Sequence, residues 1–399
     1  DEEGYATHFQ EQGFVVVGGV LSEDAVDATL CEIWESPSLL AGHEGLSRDD
    51  PATWDVATWP AGCRNFLDPL DPCAESQSWR NRVNPVLNRV FDVLWQATSE
   101  SESSEAAKEP RDEASRLVVS VDRFGLMRPT RLRRPAAAAT ASGAGDTFED
   151  KPHWRTSRNW LHWDQNPWST PEFNAMQGFV SLSGGSSSSG GFVTVPGFHG
   201  QFSRWGQEHP EGSIPKRKAS MLPFVVPLED EMQDRRVKVL VPPGALLVWD
   251  SRMPHENCPN EDESWRAVQY ITCKRLPAED LQRRAAAWHA GLRTGLLPAA
   301  LARRCSPEEQ LRLGMAASAE DLPALQEALD SGEHLPADFL EAARKLRQAY
   351  RLKQTAETPE ALQEATALFR SAFSVNPDLK EPLQRVAVAE SSYLPFWVL

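Results

Sequence analysis

Trp160-Leu161-His162-Trp163-Asp164-Gln165-Asn166-Pro167-Trp168 carries a His-x-Asp step. With 9 His and 57 Asp+Glu among 399 residues, roughly one His-x-Asp/Glu arises by chance. A second does exist, His209-Pro210-Glu211, in a polar segment without strand character. The first step differs because strand-like sequence surrounds it and two later residues complete it, His255 and Arg266. Two histidines and one carboxylate are the ligand set of non-haem Fe(II) oxygenases, which leaves metal positions open for substrates. Arg266 follows the second histidine by eleven positions and suits a planar clamp on a carboxylate.

Composition bounds the alternatives. The length allows two domains, or one large β domain with additions, and 41% apolar residues can fill a core. A net charge of −16 argues against a general nucleic-acid partner, because neutralising phosphates needs clustered Lys and Arg. Two basic runs interrupt the acidic background, residues 128–134 and Lys216-Arg217-Lys218, and read as solvated surface or as steering for an anionic substrate. The 6 cysteines form no Cys-x-x-Cys pair, and a chain of this length does not need disulfide staples. No glycosylation sequon appears, and no run approaches the ~18 apolar residues of a membrane span. A soluble intracellular setting is expected over secretion; the chain begins at Asp1, so trimming of an organelle-targeting segment stays open. Oligomeric state is not legible.

Along the chain, residues 5–12 read as a helix, residues 13–17 as a short strand, and Ser22 caps a following helix. Residues 81–98 have helical apolar spacing through Val83, Val86, Leu87, Val90, Phe91, Leu94 and Trp95. Residues 116–129 alternate like one strand. Residues 135–147 are a low-complexity insertion and 184–191 (GGSSSSGG) a flexible turn. Strands are expected over 173–183, 192–199, 237–241, 245–250 and 265–274, the last bringing Arg266, Val268 and Tyr270 to one face. Pro243-Gly244 fits a type II turn. Short strands between Gly/Pro turns predict a mainly β, double-sheet core. From residue 277 onward Ala, Leu, Glu and Arg dominate, and helices are expected over 277–291, 307–331, 337–353, 358–375 and 379–391. The apolar end, residues 393–399, is expected to dock on the protein.

Three segments together resemble the phytanoyl-CoA dioxygenase family of 2-oxoglutarate oxygenases. They are GFVVVGGVLSEDAVDAT near the start, GFVSLSGGSSSSGGFVTVPGFH, and PPGALLVWDSRMPHENCPNEDESWRAVQYIT. The resemblance spans about residues 5–275. It implies a distorted double-stranded β-helix, a cupin-like jelly-roll with extra helices, over 1–275. An α-helical C-terminal extension, 276–399, is then expected to pack on that core. It implies an iron triad of His162, Asp164 and His255, with Arg266 binding 2-oxoglutarate. It also implies cosubstrate contacts from Trp168, four residues after the aspartate, and from Asn257, where the family often has a small hydroxyl residue. The usual Ser of Pro-Gly-Ser-His is Phe198 here.

The chemistry that the resemblance implies uses Fe(II), 2-oxoglutarate and O2, and releases succinate and CO2. Related halogenases lack the carboxylate, so Asp164 favours hydroxylation, with desaturation or ring closure left open. The expected partner is a small organic substrate, hydrophobic, planar or anionic; the Trp160, Trp163 and Trp168 cluster fits aromatic pocket walls or a packed core. Two other readings stay open. One is a protein or peptide hydroxylase that docks through the helical C-terminus, where residues 359–377 faintly resemble a tetratricopeptide helix pair. The other is a non-catalytic binding protein on the same fold.

Overall fold

The computed structural model describes residues 1–35, 45–55, 66–67, 76–101, 115–122, 124–133, 148–212, 224–293, 299–331, 341–342, 345, 349 and 359–374. Several sequence features lie outside the described residues: Lys216-Arg217-Lys218, the 135–147 insertion, Cys63 and Cys73, the 379–391 helix and the apolar end at 393–399. The chain divides into two compact units. The first comprises Asp1–Leu70, Asn84–Ala107 and Arg123–Thr272, and the second Asp71–Val83, Lys108–Asp122 and Cys273–Leu399.

Fifteen strands are seen among the described residues: β1 (Phe14–Val17), β2 (Phe66–Leu67), β3 (Arg116–Val119), β4 (Phe124–Met127), β5 (Arg131–Arg133), β6 (Phe148–Asp150), β7 (His162–Trp163), β8 (Ala175–Ser181), β9 (Gly191–Thr194), β10 (Phe224–Val225), β11 (Val237–Val239), β12 (Leu246–Asp250), β13 (His255–Cys258), β14 (Arg266–Tyr270) and β15 (Cys273–Leu276). In the first unit six of them follow the order β1-β12-β8-β14-β4-β2, and five more follow β10-β7-β13-β9-β11. All these pairings are antiparallel. The architecture is the jelly-roll kind, two sheets of short antiparallel strands with helices added.

The central strands of the larger sheet, β8 and β12, are buried along their whole length. Their near-continuous apolar runs reflect cover on both faces. Between the sheets lies a core that includes Leu161, Trp163, Phe179, Phe192, Phe198, Phe202, Trp249 and Val268. Phe198, which departs from the family pattern, is 2% exposed and packs against Trp163. The turn before β12 needs its glycine: Gly244 has φ +73°, and a Cβ there would sit 2.5 Å from the Leu21 carbonyl oxygen.

Local chemistry divides elements that periodicity alone joins. The helix expected over 81–98 is two helices, Gln77–Arg82 and Pro85–Ser101. Pro85 stands at the start of the second, where its missing N–H costs nothing. The Asn84 side chain accepts from the N–H groups of Val86 (2.9 Å) and Leu87 (3.1 Å). Val86 is therefore in the exposed first turn, at 48% exposure, rather than on the buried stripe. The single strand expected over 116–129 is β3 and β4, and that over 265–274 is β14 and β15.

The serine-rich segment is tied down by cross-links that its composition hides. Lys238 donates to the carbonyls of Ser186 (2.9 Å), Ser187 (3.0 Å) and Ser189, while Ser186 and Ser188 donate to Asp262.

In the second unit β3 pairs with β15, and Val118, Leu276, Leu281, Ala285 and Ala317 form a small core. Its helices among the described residues include Gln77–Arg82, Ala278–Arg293, Ala299–Arg304, Pro307–Arg312, Leu322–Ser331 and Pro359–Ser374. Arg284 is fully buried and donates to the carbonyls of Val119 (2.6 Å) and Leu313 (2.8 Å). Burial pulls its pKa down to about 9. Among the described residues no helix is long and apolar enough to cross a membrane.

Candidate metal centre

His162 opens β7 and His255 opens β13, and the two are direct cross-strand partners. Asp164 follows β7 at once. Nε2 of His162 lies 3.6 Å from one Asp164 oxygen, and Nε2 of His255 lies 3.5 Å from the other. Among the described residues this is the one group of three or more His, Cys, Asp or Glu whose ligand atoms converge, all within 4.8 Å of each other. An ion held about 2.0–2.2 Å from each donor fits that spacing.

Each imidazole has its tautomer set from behind. The His162 Nδ1 faces the Trp160 carbonyl at 3.3 Å, and the His255 Nδ1 faces the Met253 carbonyl at 3.1 Å. A carbonyl only accepts, so Nδ1 carries the proton and Nε2 presents its lone pair to the centre. Burial, and after it the charge of His255, holds His162 below the ordinary histidine value, which favours the neutral ligand form. Burial pushes the Asp164 carboxyl up. When no cation is bound and Nε2 carries a proton, hydrogen bonds and positive charge from the two imidazoles outweigh burial and hold the group well below the usual carboxylate range. Two lone pairs and a carboxylate thus converge with little water, an arrangement that a cation between them relieves.

Aromatic rings wall the histidines. The Trp160 indole stacks on His162 at 4.8 Å and 12°, and Trp249 and Phe192 lie 5.1 Å and 5.9 Å from His255. Trp160 is itself pinned: its backbone N–H donates to Glu256 (2.7 Å) and its indole N–H to the Asn257 carbonyl (3.1 Å). Glu256, 5% exposed at the side chain, is paired with Arg236 at 2.9 Å. Behind Asp164, Gln177 donates to its Oδ2 at 2.6 Å and accepts from the Trp249 indole at 3.0 Å.

Arg266 lies on β14 and is 4% exposed. One guanidinium nitrogen donates to the Asn257 side-chain oxygen at 2.9 Å, and the Asn257 amide donates to the Tyr270 hydroxyl at 3.1 Å. The other terminal nitrogen, Nη1, is buried without a hydrogen-bond partner among the described residues. A pocket lined by Phe179, Ser181, Gly190, Lys238, Arg266 and Val268 adjoins it. A buried guanidinium edge with no acceptor is matched to an anion such as a carboxylate. Asn257 lies two residues beyond His255 on β13, so both side chains leave the same face of the strand. The Asn257 side chain that meets Arg266 therefore leaves β13 on the same face as His255.

Trp168, Gln165, His199 and the rival tripeptide each have partners of their own. The Trp168 indole N–H is committed to the carbonyls of Gly206 (3.0 Å) and His209 (2.8 Å), and its ring packs edge-on to Phe224. Gln165 bridges Ser251 and the carbonyls of Thr170 and Glu172. His199 contacts the Gln10 carbonyl at 3.0 Å. In the rival tripeptide, His209 stacks on Trp205 and Glu211 is exposed. Sequence reasoning reached Trp160 as an aromatic wall but not Trp249 and Glu256 as neighbours of the centre. Gln177 has no sequence signal of its own, and strand register brings it to Asp164.

A jelly-roll with a buried His-x-Asp…His set and a downstream arginine is the frame of the iron- and 2-oxoglutarate-dependent oxygenases. In sequence the chain resembles a protein named for phytanoyl-CoA dioxygenation. It is 22% identical over 298 residues to a Dictyostelium discoideum protein named "Putative phytanoyl-CoA dioxygenase", covering 66% of this chain and 72% of that one. No family model matches the chain. Solved structures with which it aligns include AviO1 from Streptomyces viridochromogenes Tue57, 17% identical, covering 69% of this chain and 95% of that one with a TM-score of 0.40. The epimerase SnoN, in complex with Fe3+, alpha ketoglutarate and nogalamycin RO, is 15% identical over 68% of this chain and 83% of its own, with a TM-score of 0.39. GIG2 from Candida albicans is 13% identical over 96% of this chain and 84% of its own, with a TM-score of 0.44.

Proposed function

We propose that this chain hydroxylates an unactivated C–H bond of a small organic substrate, with conversion of 2-oxoglutarate to succinate and CO2. The observation that carries the reading is the convergence of His162, Asp164 and His255, with both Nε2 atoms turned inward by backbone acceptors. These three residues would hold Fe(II). Bound iron supplies the activation of O2, one oxygen atom going to succinate and the other into the substrate C–H bond. Arg266 binds the distal carboxylate of 2-oxoglutarate through its unpaired Nη1 edge, and Asn257 orients the guanidinium by accepting from its other arm. Tyr270 steadies Asn257 in turn. Trp160, Phe192 and Trp249 exclude water from the histidines and make the surroundings apolar, which suits a hydrophobic or planar substrate.

The test is an anaerobic visible spectrum of the protein with Fe(II), before and after 2-oxoglutarate. A new charge-transfer band is expected, absent in His255→Ala and Arg266→Ala, and succinate release with a turned-over substrate should vanish in Asp164→Ala. A folded protein that develops no band overturns the reading and favours a binding protein on the same fold.

A further inference from the structure

We propose that Gln177 is a positioning residue that makes Asp164 a one-oxygen ligand, with Trp249 dictating which end of the Gln177 amide faces it. The inference rests on the proposed metal site. An indole N–H can only donate. Trp249 donates to Gln177 at 3.0 Å, so the atom it meets is the amide oxygen, and the amide nitrogen must face the other way. There it meets Asp164 Oδ2 at 2.6 Å. The relay Trp249 to Gln177 to Asp164 therefore has one direction.

Its support is rigid. Gln177 on β8 and Trp249 on β12 are direct cross-strand partners in the middle of the larger sheet, 5% and 3% exposed. Asp164, by contrast, lies just beyond the two-residue strand β7, where little backbone pairing restrains it. The bond to Gln177 supplies that restraint. It also occupies a lone pair of Oδ2 and leaves Oδ1 as the better donor to a cation. A carboxylate that chelated through both oxygens would fill a further position on the metal. The relay thus keeps open a position that a chelating cosubstrate and O2 need.

Co(II) serves as the probe, measured by anaerobic calorimetry on the full chain, with melting curves beside it. Gln177→Leu should raise the Co(II) Kd by about 10–100-fold. Trp249→Phe, which leaves the amide free to turn, should raise it less. The double variant should match Gln177→Leu within about twofold, because the two residues act in series. Wild-type Co(II) affinity in Gln177→Leu, or a double variant whose loss is the product of the two single losses, overturns the inference. If Gln177→Leu does not fold, Trp249→Phe decides: weakened Co(II) binding with an unchanged melting curve supports the relay, and unchanged binding overturns it. A wild-type protein that binds no Co(II) overturns the metal reading and this inference with it. Normal wild-type binding beside an unaffected Gln177→Leu overturns the inference alone.

Discussion

Gly190 shows how narrowly single residues are chosen around the clamp. A Cβ there would lie 3.0 Å from Arg266 Cδ and would also strike the buried Met127 sulfur. Overpacking of this kind costs about 1–3 kcal/mol. Gly190→Ala should push the guanidinium off its place and raise the KM for 2-oxoglutarate about tenfold, each tenfold step being about 1.4 kcal/mol. Co(II) affinity, read by the same calorimetry, should stay at the wild-type value. The grouping of His162, Asp164 and His255 was legible in the sequence because their residue types are unusual together and their order is informative. Gln177 was not, because glutamine is an ordinary surface residue until its cross-strand neighbour is known. Trp168 was read as an aromatic at a familiar offset; its indole N–H serves the carbonyls of Gly206 and His209.

At the scale of elements, caps and ion pairs do what periodicity does not show. The Asn84 side chain starts the Pro85–Ser101 helix by accepting two backbone N–H groups. Asn84→Ala should cost about 1 kcal/mol, seen as a lower urea midpoint with an unchanged slope. Glu256 links β13 to Trp160 and to Arg236, and a buried carboxylate with two committed partners is costly to remove. Glu256→Ala should destabilise by about 3 kcal/mol, toward the low end for a broken buried pair because Arg236 keeps some solvent contact. The same unfolding curves would show it. Apolar spacing predicted one helix over 81–98 where two meet at Asn84, because spacing is blind to a cap. Composition read GGSSSSGG as flexible, because nothing local signals that Lys238, far along the chain, ties three of its carbonyls.

Across the whole molecule, acid sensitivity has a source in the second unit as well. His289, half-buried in the second unit, contacts the Met315 carbonyl at 2.9 Å, and burial above all lowers its pKa. Its folded value lies below the ordinary ~6.5 of an unfolded chain. As pH falls through that value the unfolded state takes the proton first. The contribution of a neutral His289 is therefore complete above about pH 6.5 and is lost progressively below it. His289→Gln should lose less stability than the wild type between about pH 7.5 and pH 5.5, measured by urea unfolding at each pH. At this scale the sequence predicted mainly strands before residue 276 and helices after it, and the described residues carry strands up to Leu276 and helices beyond. It did not reveal that 71–83 and 108–122 group with the helical part, since grouping depends on long-range pairing such as β3 with β15.

The pairing of His162 with His255 carries a further meaning. The two imidazoles meet because they share a rung of an antiparallel ladder, whatever length of chain runs between them. Side chains on a strand alternate, so the centre depends on parity and is indifferent to distance along the chain. Residues added in the loops between β9 and β13 change what surrounds the centre and leave it intact. One residue gained or lost inside β7 or β13 turns a histidine to the opposite face and erases it. The fold can therefore vary the walls of its pocket over a wide range of lengths while the metal ligands tolerate none.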